Sequence, residues 1–338
     1  MDDNYAKVIA IRTYMDEHLS PYTYRDDMEF EKAYKYVDHE AKSLAYINGE
    51  VYQISDSYIV YAISMLGCAE PAVIAKFLMN LKKRHPDLNI PDFDKDSIKT
   101  RLSTLKKYGF LFNISYVDNS EVGTSPEKTH GSNHSLFTAG KDATSLMNAR
   151  LRKQVKPNTW LFAKPNDELL GIAASASIFS ELMSSPDFVK VENAIFKGKY
   201  AGTVHLDDEF ISEVDGQKYY VGMISAYLHK NSNYATDEDY EEIINHKLNI
   251  INDYLSNRTK KGIAKIILVC ESNKDMVRMV NAIINSGAFE QDKLNNIHFT
   301  SAGLVNGYGT GSEDWFLHIV LDESAENGFR YELSPRFV

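Results

Sequence analysis

Residues 94–117 read DKDSIKTRLSTLKKYGFLFNISYV, and the periodicity changes once inside that stretch. Up to Tyr108 the apolar residues Ile98, Leu102 and Leu105 recur at four- and three-residue steps, the spacing of one helix face. From Phe110 to Val117 the alternation becomes that of a strand, and Gly109 supplies the helix stop between them. Opposite the apolar stripe lie Lys99, Thr100, Ser103, Thr104, Lys106 and Lys107, with Lys95 and Arg101 at the edges of that face. Hydroxyls and cations in this mixture are what a helix needs to grip phosphates and touch base edges in a major groove. No acid interrupts the sequence from Ile98 to Val117.

Upstream, Ser55–Leu66 predicts a helix with Ser55 as N-cap, Ile59, Ala62, Ile63 and Leu66 inward, and Gly67 as its end. A second helix starts at Glu70 and Pro71, turns Ile74, Phe77, Leu78 and Leu81 inward, and closes on Lys82, Lys83 and Arg84. Downstream, the polar segment Asp118–Asn133 reads as a long hairpin loop and Ser135–Thr138 as the returning strand. Two helices, a basic third helix and a hairpin is the order of a winged helix, a small domain that presents one helix to duplex DNA. Between Ser55 and Lys156 fifteen Lys and Arg face ten Asp and Glu, so this part carries +5 and the rest −15 of the total −10. A local basic patch suffices, because physiological salt confines the field to roughly 8 Å. The competing reading of such a face is a solvated surface or a protein-binding module.

With 338 residues the chain suits two domains and an added N-terminal piece. The divisions are 1–54, a helical arm; 55–156, the winged helix; and 157–338, a second domain. No run of about 18 apolar residues occurs, and the acidic start MDDNYAKVIAIRTYMDE is no secretory signal, which predicts a cytoplasmic protein with no membrane partner. Cys68 and Cys270, the only cysteines, both sit in apolar sequence and read as buried free thiols. Residues 1–54 hold eleven Asp and Glu against six Lys and Arg, and are rich in tyrosine. A tyrosine nucleophile for DNA strand transfer would want two metal-binding histidines flanking one apolar residue. None of the ten histidines is so placed, so the tyrosines read as amphipathic packing residues.

The second half has a different rhythm. A helix over Asp167–Met183 precedes strand-like runs at Phe188–Val191, Ala201–Leu206 and Lys218–Tyr227. A long helix from Asp237 to about Asn257 then turns Tyr240, Ile244, Leu248, Ile251 and Leu255 inward. Ala264–Cys270 is a continuous apolar strand of the kind covered on both faces, followed by a helix over Ser272–Ile284 and strands at Ile297–Thr300 and Trp315–Leu321. Helix, three strands, helix, strand, helix and further strands is an α/β layer arrangement with a mixed sheet. The whole chain is therefore expected to be α+β or α/β, a winged helix followed by a mixed-sheet domain. The order of the second half is that of the core shared by many restriction-type nucleases.

Joined to the N-terminal winged helix, this half resembles the replication-relaxation family of plasmids and conjugative elements of Gram-positive bacteria. The resemblance spans most of residues 55–321 and is carried by element order, by HLDDEFISEVDGQKYYVGMISAY over 205–227, and by IILVCESNKDMVRMVNAI over 266–283. It implies a DNA-associated protein of a mobile element with a nuclease-like domain, acting on double-stranded DNA beside other replication or transfer proteins, with a homodimer allowed.

In the nuclease pattern an acid on the second strand, and a glutamate and lysine one residue apart on the third, hold a divalent metal that activates water. Asp207, Asp208 and Glu209 would fill the first place and Glu192 would assist. The third strand reads Tyr219 to Ala226, YYVGMISA, with neither acid nor lysine. The expectation is a domain that keeps the shape and has lost the chemistry, needing no cofactor. Magnesium enters only under the alternative of a metal-dependent nickase or endonuclease. A second alternative is a transcription regulator whose α/β half senses a ligand. NGYGTG at 306–311 lacks the Lys-Ser/Thr pair of a phosphate loop and reads as a turn, His130 and His134 read as polar loop, and neither Lys247 nor Lys265 has an evident partner.

Overall fold

The computed structural model describes residues 3–18, 20–33, 46–49, 51–119, 131–140, 142–143, 146, 161, 164–185, 188–191, 206–228, 237–258, 262–308 and 316–334. The protein is a mixed α+β chain with two sheets, divided into two compact units: residues 24–169, and residues 1–23 together with 170–338. The first helix, α1 (Asp3–Glu17), belongs to the second of these, and the smaller unit opens with strand β1 (Glu29–Ala33). Among the described residues no helix is long and apolar enough to cross a membrane.

In the smaller unit, α2 (Ile54–Leu66) is capped by Gln53 rather than Ser55. The Asp56 carboxylate accepts the Gln53 N–H at 2.8 Å, so the acid at N3 satisfies a donor the first turn leaves orphaned. Gly67, at φ 73°, turns the chain into the two-residue strand β2 (Cys68–Ala69), and α3 (Pro71–Arg84) follows with proline in its first turn. Helix α4 (Lys95–Lys107) starts on Asp94, whose side chain accepts N–H groups from Asp96 at 3.0 Å and Ser97 at 2.7 Å. Gly109, at φ 80°, then enters β3 (Leu111–Asp118), which pairs antiparallel with β4 (Ser132–Ala139) from Leu111↔Ala139 to Asp118↔Ser132. Residues 120–130 of the expected long loop, and the link at Leu151–Asn158, lie outside the described residues. The sheet order is β1-β3-β4-β2, closed over a core that includes Ile59, Ile63, Phe77, Leu78, Leu102 and Phe110.

The described residues of 1–54 are shared between the two units and do not make one helical arm. β1 covers the outer edge of β3, pairing Glu29 with Val117 through Ala33 with Asn113, which supplies partners for edge backbone groups that would otherwise lack them. α1 instead buries Val8, Ile11 and Met15 in the core of the other unit. The divisions at 54/55 and 156/157 therefore fall inside one compact unit.

The larger unit continues with α5 (Asn166–Leu182), β5 (Phe188–Val191), β6 (Asp208–Val214), β7 (Gln217–Ser225), α6 (Asp237–Arg258), β8 (Ile263–Val269), α7 (Asn273–Ser286), α8 (Gln291–Leu294), β9 (Ile297–Thr300), α9 (Ala302–Tyr308), β10 (Leu317–Leu321) and β11 (Phe329–Leu333). Its seven strands run β11-β10-β9-β8-β7-β6-β5, with β7, β8 and β9 parallel and the other pairs antiparallel. Asp215 and Gly216, both at positive φ, make the two-residue turn between β6 and β7. One sheet face, carrying Ala264, Ile266, Leu268, Ile297, Phe299, Leu317 and Ile319, packs with residues of α1, α6 and α7. Strand alternation puts Lys265, His298, Thr300 and His318 on the opposite face. Asn306 and Gly307, expected in a turn, lie in α9, while 309–311 and the strand run 201–205 are outside the described residues.

Candidate functional site

Helix α4 docks by the stripe the spacing predicts: Ile98, Leu102 and Leu105 are fully buried. Lys99, Thr100, Ser103, Lys106 and Lys107 are exposed and Thr104 is half-buried; the side chain of Lys95 is outside the described set. The hydroxyls of Thr100 and Thr104 donate back to the carbonyls of Asp96 (3.0 Å) and Thr100 (3.1 Å), so in this arrangement neither offers its proton to a phosphate. Asp92, Asp94 and Asp96 crowd the N-terminus of α4. The cationic surface is therefore the exposed face running from Lys99 past Ser103 to Lys106 and Lys107.

Arg101, expected to brace a phosphate at the edge of this face, is engaged within the fold. Its Nε and Nη2 donate to the two oxygens of Asp56 at 2.8 and 2.6 Å, and Nη2 also reaches the Tyr46 hydroxyl at 2.7 Å and the Val51 carbonyl at 3.2 Å. The Asp56 side chain is 0% exposed and Arg101 14%. Burial works against the guanidinium charge, and the hydrogen bond and charge of Asp56 more than offset it, so the Arg101 pKa is raised. Tyr46 donates to Asp56 at 2.6 Å, and burial followed by that bond pushes its phenol well above the usual range. A bidentate fork on a buried carboxylate ties α4 to α2. His134 is likewise a strand residue, not loop: its ring stacks on Tyr116 with centroids 4.8 Å apart, and Nδ1 lies 3.1 Å from Glu70, which raises its pKa.

The acids at the start of β6 do not form a metal-binding set. Asp208 and Glu209 are adjacent on a strand and point to opposite faces. Glu209 is buried and accepts the Tyr254 hydroxyl of α6 at 3.0 Å, an approach opened by Gly222, where a Cβ would stand 3.0 Å from the Tyr254 ring. Asp208 is 5% exposed with Oδ2 unpartnered, and burial, then the charge of Asp207, pushes its carboxyl well above the usual carboxylate range. Asp207 accepts from the Ser175 hydroxyl at 2.8 Å and the Ser225 N–H at 2.5 Å. Glu192 is outside the described residues. A hard divalent cation wants several oxygens on one side, and two adjacent acids turned to opposite faces, one of them held back from ionising by burial, do not provide them. Among the described residues no group of three or more His, Cys, Asp or Glu could hold a metal.

One pairing escaped the sequence reading. Lys247 of α6 is buried and donates to the Ser225 carbonyl at 2.5 Å, so it and Asp207 both bond to the residue that ends β7. Its position three residues after Ile244 and four before Ile251, on the flank of the apolar stripe, was the available signal. No protein-family model, no curated protein and no solved structure matches this chain.

Proposed function

We propose that this protein binds duplex DNA through the face of α4 from Lys99 to Lys107, presented by a winged helix, and that its larger unit is a nuclease-like scaffold which organises partners rather than cutting. The observation that carries the reading is the exposed face of Lys99, Ser103, Lys106 and Lys107 on a helix whose opposite side is fully buried. The helix order and the β3–β4 hairpin support the winged-helix assignment. The run α5, three strands, α6, β8, α7, β9, with β6 antiparallel to both neighbours, supports the restriction-type layout. The same order underlies the resemblance to the replication-relaxation family, and with it a setting in replication, transfer or regulation of a mobile element.

Fluorescence anisotropy on duplex DNA across a salt series tests this. Affinity should fall steeply with salt, and the double variant Lys106→Glu/Lys107→Glu should weaken all sequences alike. Unchanged binding in that variant removes the proposal.

A further inference from the structure

We propose that the larger unit holds a binding site for a small oxyanion of the phosphate type, built by Lys265, His298 and His318 on the sheet face opposite α1, α6 and α7. This goes beyond the DNA-binding reading and is independent of it. The three side chains come from neighbouring strands β8, β9 and β10 and, with Tyr219, Asn296 and Ser334 among others, line a recess of about 320 Å³.

Burying three nitrogen bases together is costly unless something accepts their protons. Lys265 is 5% exposed in the middle of a strand, and its ammonium sits over the Tyr219 ring, 5.1 Å from the centroid. His298 is 1% exposed and among the described residues neither ring nitrogen has a hydrogen-bond partner, nor has Nδ1 of His318. The His298 and His318 rings lie 6.4 Å apart between centroids. Among the described residues, the carboxylate paired with them is Glu332, whose oxygen is 3.8 Å from His318 Nε2 and whose side chain is 39% exposed.

Burial brings Lys265 down to about 8. Burial, then Lys265 and His318, drive His298 well below its ordinary value, and burial lowers His318 against the pull of Glu332. A cation would meet Lys265 in this recess. A small dianion would instead take the lysine charge and an imidazole N–H, and a protonated oxygen of the same ligand would donate to the other imidazole. The volume has ample room for a phosphate or a short phosphomonoester, and the lysine and two imidazoles set the ligand class.

The test follows the histidine ring signals of the full chain by long-range ¹H–¹⁵N correlation while inorganic phosphate is added at constant ionic strength, with methyl phosphate and chloride as parallel titrants. Saturable shifts of His298 and His318 with phosphate, absent with chloride, are expected. Lys265→Met, which replaces a desolvated amine by an apolar side chain of similar length, should weaken binding about tenfold or more. His298→Gln, which keeps a donor, should weaken it less. A response to methyl phosphate alone makes the ligand an esterified phosphate. The absence of any saturable shift with either phosphate, or shifts identical in Lys265→Met, overturns the site.

Discussion

Asp56 serves two elements at once, taking the Gln53 N–H that opens α2 and the guanidinium fork of Arg101 from α4. Removing one member of a buried pair strands the other charge, so Arg101→Met should cost about 3–5 kcal/mol in urea unfolding. Arg101→Lys should recover only part of that, since an ammonium cannot match the bidentate geometry. If Arg101→Met loses DNA affinity in proportion to charge yet unfolds as wild type does, the residue belongs to the interface after all. The stripe at Ile98, Leu102 and Leu105 was legible from spacing alone. Arg101, beside that stripe, reads identically whether it reaches solvent or a carboxylate 45 residues earlier, and only tertiary structure separates the two. Asp208 gives a second prediction at this scale. Its folded pKa lies above the unfolded one, so the protonated form stabilises fully below the unfolded value and that stability is lost as pH rises toward the folded pKa. Asp208→Asn should therefore raise the melting temperature at pH 7.5, with a gain that shrinks as the pH falls toward the unfolded carboxyl value. A gain independent of pH would contradict the assignment.

At the scale of elements, strong periodicity translated directly into structure and short or docked pieces did not. β5 and β9 lie where the sequence reading put them, because apolar runs flanked by turns have few alternatives. β2, with two residues, carries no period at all, and β1, EFEKA, an edge strand charged at Glu29, Glu31 and Lys32, offers no apolar run. α1 shows that a helix can be read correctly while its partner stays hidden, since nothing local announces that Met15 packs with Leu304 and Leu317 in one core more than 280 residues away. Met15 is fully buried, so Met15→Ala should destabilise the larger unit by about 2–5 kcal/mol. Tyr5→Ala, at a residue 56% exposed on the same helix, should leave it near wild type. Equal effects would mean that α1 is held by its ends and not by its apolar face.

For the whole molecule, the division into units alters the electrostatic argument. Residues 24–169 contain twenty Lys and Arg against nineteen Asp and Glu, a balance of +1, because β1 and its flanks return acids that the segment from Ser55 to Lys156 leaves out. The proposed contact with DNA thus rests not on a basic domain but on one helix face, which can neutralise few phosphates. With Lys99, Lys106 and Lys107 as the contacts, the log–log dependence of affinity on salt should have a slope of roughly −3, falling by about 2 in the double reversal at Lys106 and Lys107. The same division says how the binding unit can be isolated. A fragment of residues 24–169 retains β1 on the edge of β3 and Tyr46 on the Asp56–Arg101 pair, and should unfold in one cooperative transition while keeping the salt slope of the full chain. A fragment of residues 55–156, cut where the charge and helix pattern suggested, leaves that edge open and the pair without its phenol. It should be markedly less stable and prone to association through β3. Comparable melting of the two fragments would show that β1 and Tyr46 only decorate a domain complete without them.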